Sequence, residues 1–131
     1  MTPFERRSLL STAPNPDPKS DYLVTIEASF LLRLRTEITV TLRFVPDRDI
    51  LASDSLDTYL ARLSETDLPG LEAIATTVLT DVNDRLVPKW VQVEAATVID
   101  QAVGVHRHAV LAEDRQPRWD NPALLSRLKI N

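Results

Sequence analysis

Between Glu37 and Val98 the spacing of apolar residues changes twice, and this limits the fold more than any other feature of the chain. Ile38, Val40, Leu42 and Phe44 alternate with Thr39, Thr41 and Arg43, the period of a strand with one face buried. The spacing then becomes helical, through Leu56, Tyr59, Leu60 and Leu63. After the break Asp67-Leu68-Pro69-Gly70 a second helical stripe follows: Ile74, Val78, Val82 and Leu86, with Ala75 and Leu79 beside it. Past Pro88 the period returns to two, with Val91, Val93 and Ala95 on one face of a strand from about Trp90 to Val98.

The flanks extend this pattern. Tyr22, Val24 and Ile26 begin a strand that continues towards Phe30, and a fourth strand covers Val103 to Leu111. The link from Leu31 to Thr36 has no glycine or proline, which suggests a hairpin with a bulge or a slightly longer turn. The order is then ββααββ. Strands grouped at each end of a helix pair give an α+β fold, an antiparallel sheet with both helices on one face. Four strands leave two open edges, which pairing with another subunit would cover.

Residues 1–20 read as an arm, because Ala13-Pro14-Asn15-Pro16-Asp17-Pro18 disfavours helix and ladder alike. Residues 21–112 form a single domain. Residues 113–131 form a tail with Pro117, Trp119, Pro122 and a short helix near Leu124–Leu128. Ser53 is positioned to cap the first helix, with Asp54 in its first turn.

Composition removes several classes of function. The net charge is -4, and no basic stripe with interleaved aromatics offers a nucleic-acid surface. Met1 to Leu10 has no sustained apolar run, so no secretory signal is expected. No segment is long and apolar enough to span a bilayer; the expected location is cytoplasmic. There are no cysteines, which excludes disulfides, thiolate metal sites and a cysteine nucleophile.

Few residues suggest chemistry. Glu72 stands at the start of the second helix. There a carboxylate is either a ligand anchor or simply a charge favoured by the helix dipole. His106 and His108 share one strand face. They could move protons beside a bound heterocycle, or share a metal with Glu113 or Asp114; a polar strand face is the plainer explanation, and no metal is expected. Asp47, Asp49, Asp54 and Asp57 form an acidic run, read as a solvated face or as an anion-rejecting surface. Trp90 and Trp119 are read as packing or interface residues.

The run from Phe44 to Leu60, with Pro46-Asp47-Arg48-Asp49-Ile50-Leu51-Ala52-Ser53-Asp54-Ser55 at its centre, resembles the central signature of the QueF family. These are NADPH-dependent reductases of cyano-deazaguanine in the tunnelling-fold (T-fold) superfamily. Glu72 through Pro88 and on to Val93 is similar to the family's second helix and third strand, without a gap. Ala13-Pro14-Asn15-Pro16 followed by Asp21-Tyr22 resembles its entry segment.

The resemblance implies ββααββ subunits that close into an oligomeric β-barrel, with interface sites for planar purine- or pterin-like rings. It places Glu72 where a glutamate grips the ring's amidine edge, and Ser53 and Ser55 on signature serines. The departures are as specific. The family's nucleophilic cysteine is missing, and the stretch from Ile26 to Ile38 is shorter than the family pattern. Asp54 and Asp57 stand where the family has lysines serving NADPH, and Leu71 replaces a histidine. Two anions in place of two cations repel a phosphorylated cofactor, so no cofactor is expected and NADPH least of all. Two readings stay open. One is an enzyme that orients a purine- or deazaguanine-type ring on Glu72 and performs a non-reductive step with His106 or His108. The other is a non-catalytic ligand-binding or assembly subunit. The expected partners are that small molecule and further copies of the chain.

Overall fold

A computed structural model describes residues 1–128; the last three residues of the expected tail lie outside it. In chain order the elements are α1 (Pro3–Ser8), β1 (Thr12–Pro14), β2 (Val24–Leu32), β3 (Thr36–Val45), β4 (Asp49–Leu51), α2 (Ser53–Leu63), α3 (Leu71–Leu86), β5 (Trp90–Gln101), β6 (Gly104–Arg115) and α4 (Pro122–Leu125). The order therefore adds α1, β1 and β4 to the ββααββ core and the tail helix expected from the sequence. The class is α+β: a four-stranded antiparallel sheet, ordered β2-β3-β5-β6, and a separate pair, β1-β4. Among the described residues no helix is long and apolar enough to cross a membrane.

Alternation decides which face of the sheet is covered. Ile38, Val40, Leu42 and Phe44 of β3 and Val91, Val93 and Ala95 of β5 are buried together with Leu56, Tyr59, Leu60 and Leu63 of α2 and Ile74, Ala75, Val78, Val82 and Leu86 of α3. The register sets Val40 between Ala28 and Ala95, and Leu42 between Ile26 and Val93, so the apolar rows align across three strands. The outer strands contribute less, through partly buried Val24, Ile26, Ala28 and Phe30 of β2 and Val110 of β6. Both outer strands are sheet edges.

The hairpin between β2 and β3 turns through left-handed backbone at Arg33 and Leu34 (φ 52° and 59°), closed by the Arg35 N–H donating to Leu32 O at 3.1 Å. Such a turn favours glycine or asparagine, which explains why composition alone suggested a looser connection. The Arg33 guanidinium donates to Leu68 O at 3.1 Å, tying the hairpin tip to the loop between the helices.

Residues 1–20 contain a short helix and a strand, and Ala13 and Pro14 join a ladder that the prolines were read as disfavouring. Pro3 begins α1, where a missing N–H is harmless, and the Thr2 hydroxyl caps Glu5 N. β1 pairs with β4 in the register Thr12↔Leu51, Ala13↔Ile50 and Pro14↔Asp49. Pro14 is tolerated because it ends a strand at the margin of a two-stranded ladder. Ser53 does not cap α2: Ala52 holds the cap position and no side chain bonds there. The C-terminal segment is fastened to Asp21, which accepts from Lys89 Nζ (2.9 Å), Trp119 Nε1 (3.1 Å) and Asn121 Nδ2 (3.1 Å). Trp90 is buried in the subunit, while Trp119 is partly exposed and bonded to Asp21.

One carboxylate holds the helices together. Asp81 of α3 is 0% exposed. It accepts from Arg6 Nε at 2.8 Å and Nη2 at 3.2 Å, Arg7 Nε at 2.9 Å and Tyr59 Oη at 2.5 Å, joining α1, α2 and α3. Burial alone would raise its pKa; the bonds from Arg6, Tyr59 and Arg7 outweigh burial and hold the carboxyl below its ordinary range. A depressed carboxylate stabilises the fold above its unfolded pKa of about 3.9, and that contribution fades as pH falls through the folded value. Asp81→Ala should therefore lower unfolding free energy by about 3 kcal/mol at neutral pH, measured by urea denaturation. Between about pH 5 and about pH 2 the variant should lose less stability than the wild type.

Candidate functional site

The two helices run in opposite senses over the sheet, and this separates the residues that the sequence nominated. α2 begins just after β4, near the end of the sheet where Val45 pairs with Trp90. α3 begins at the other end, after the loop that Arg33 contacts from the hairpin tip. With α3 spanning 16 residues, roughly 24 Å at the usual rise, Ser53 and Glu72 are at opposite ends of one subunit.

Ser55 is not presented to a ligand. It is 8% exposed; its hydroxyl donates to Ala52 O at 2.7 Å and its Oγ accepts from Ser11 N at 3.1 Å. This side chain pins the N-terminal segment to α2, and the ring contact expected of it is unavailable within the subunit. Ser53, Asp54 and Asp57 are exposed on the first turns of α2.

Glu72 is the second residue of α3 and its side chain is 67% exposed. The carboxylate leans back over the helix start, where a Cβ added to Gly70 would stand 3.6 Å from Oε2. Its own backbone N–H, and then the His108 imidazole, hold the carboxyl below the ordinary carboxylate range against a weak opposing effect of burial. It is therefore an ionised acceptor at neutral pH.

A histidine distant in the sequence closes on this carboxylate. His108 Nε2 lies 2.9 Å from Glu72 Oε1. β6 alternates, so His106, His108 and Val110 share the helix-facing side while Arg107 points to the other. Thirty-six residues separate the pair, and only the packing of α3 on β6 brings them together. His106 stands two residues nearer the β5–β6 turn, opposite Ile99, and is exposed.

The metal set imagined for this strand does not assemble. Glu113 falls on the face opposite the histidines and pairs with Arg115 at 2.9 Å, while Asp114 accepts from Asn83 at 3.1 Å. Among the described residues no three histidine, aspartate or glutamate side chains come together as metal ligands. The uncovered sheet face carries a shallow bowl of about 460 Å³, lined in part by Glu27, Thr41, Glu94 and Arg107. Thr41 donates to Glu27 and Arg107 to Glu94 there. That bowl includes neither Glu72 nor the histidines.

The chain is similar to the NADPH-dependent 7-cyano-7-deazaguanine reductase of Syntrophus aciditrophicus (strain SB). The two are 30% identical over 119 residues, covering 86% of this chain and 82% of that protein. No family model matches the chain.

The two serines should separate in a stability measurement. Ser55→Ala loses both hydrogen bonds of this buried hydroxyl and should lower stability by about 1 to 2 kcal/mol. Ser53→Ala, on an exposed first turn without a capping bond, should stay within about 0.5 kcal/mol of wild type. Paired urea melts would show the difference.

Proposed function

The chain belongs to the family of NADPH-dependent 7-cyano-7-deazaguanine reductases, and on that premise we propose that it binds a purine- or deazaguanine-type heterocycle through Glu72 and carries out a non-reductive step on it. The observation that carries this reading is the Glu72 carboxylate itself, ionised and open to solvent at the first turn of α3. A carboxylate accepts two parallel donors, and a guanine-like ring presents such a pair on its amidine edge. Proton transfer would fall to the β6 imidazoles, His106 or His108.

Reduction is not part of the proposal. The sequence has no cysteine to add to a nitrile. Asp54 and Asp57 are exposed on the turn where the family resemblance puts lysines. That surface does not fit an anionic nicotinamide cofactor. The site is completed in this reading by a T-fold barrel formed from several copies, joined along the open edges of β2 and β6. Because Ser53 and Glu72 are far apart in one subunit, a ring touching both would take them from different copies.

A non-catalytic ring-binding or assembly subunit is the second reading. It is favoured by the engagement of His108 with Glu72, which takes up one of the two imidazoles on that strand face.

A thermal-shift series with guanine, 7-cyano-7-deazaguanine and a pterin tests binding. At least one ring should raise the melting temperature, and Glu72→Ala should weaken its affinity by about ten- to a hundredfold, the range for a charged hydrogen bond. Stabilisation that survives Glu72→Ala would sink the anchor assignment. Turnover of a stabilising ring separates enzyme from binding module. NADPH consumption with 7-cyano-7-deazaguanine would overturn the non-reductive reading.

A further inference from the structure

We infer that His108 is a positioning residue for Glu72: its imidazole fixes the carboxylate at the start of α3 in the pose that meets the ring, and is not a free base. The inference rests on the reading of Glu72 as the ring anchor. Glu72 is otherwise a long, exposed side chain with full rotamer freedom, and ordering such a side chain on binding opposes affinity. The 2.9 Å contact from a strand to a helix end removes that freedom in advance.

The protonation pattern follows from the acceptor. An ionised carboxylate only accepts, so Nε2 carries the proton and, in the neutral imidazole, Nδ1 is bare. Acceptor capacity remains on the carboxylate, since two oxygens offer about four lone-pair positions and His108 uses one. The other groups facing His108 are few. On α3, Thr76 and Leu79 continue the Glu72 side of the helix and are neutral. On β5, Ala95, Thr97 and Ile99 share its face and are neutral. On its own strand Val110 follows, and His106, two residues before, is the second titratable group.

Of the two histidines, His106 is then the one left to move a proton.

Three variants test the inference with 7-cyano-7-deazaguanine as probe, read by calorimetry. His108→Gln keeps an amide donor and should bind within about threefold of wild type. His108→Ala should bind about tenfold more weakly. If Glu72→Ala abolishes binding while both His108 variants bind as wild type does, positioning is refuted and the anchor stands. If Glu72→Ala leaves binding intact, both fall. A ligand-free measurement is independent of the probe: nitrogen NMR of the imidazole should show the Nε2–H tautomer in wild type and a tautomer mixture in Glu72→Ala. An unchanged tautomer would overturn the inference.

Discussion

The apolar layer between one sheet face and the two helices is the constraint on which the other features depend. β3 and β5 are adjacent, and both bury every second residue beneath α2 and α3. A one-residue slip in either strand would turn its buried row to solvent. With the register fixed in this way, the hairpin tip reaches the loop between the helices and β6 lies alongside the start of α3. The contact between Glu72 and His108 follows from that placement. Neither side chain is buried, and neither could hold the arrangement by itself.

A second, polar constraint fastens the chain's beginning to this layer. Asp81 lies on the buried side of α3 next to Val82 and Val78, and leaving it unpaired there would be strongly unfavourable. Arg6 and Arg7 of α1 and Tyr59 of α2 satisfy it. Burial and the neighbouring carboxylate push the Tyr59 phenol far above its ordinary pKa, so it remains a donor. The short helix α1 thus persists through one shared acceptor, since six residues could not sustain it in water.

Much of the fold was legible in the sequence because burial on a sheet and on a helix leave different periods. The alternation over Ile38–Phe44 and the stripe Ile74–Val78–Val82–Leu86 mark β3 and α3 to within a few residues. One detail of residues 1–20 was misread for a specific reason. The run from Ala13 to Pro18 was weighed as excluding a ladder, whereas Pro14 lies at a strand end, where it is tolerated. Asp81 did leave a trace: a lone carboxylate beside the α3 stripe, matched by two consecutive arginines near the N-terminus. Nothing local distinguished it from an ordinary surface aspartate.

Sequence by itself determined the α+β class, the absence of thiol chemistry, the acidic turn at Asp54 and Asp57, and the candidacy of Glu72. All of these are local: they depend on residue type, or on neighbours within a turn or two. The tertiary structure decided which candidates meet. It joined His108 to Glu72, turned Glu113 to the opposite face, enclosed Ser55 against Ser11 and set Ser53 at the far end of the subunit from Glu72. Those outcomes depend on strand parity and on the opposed directions of two helices. Both are fixed only when the apolar faces have closed on one another, so no stretch of sequence carries them alone.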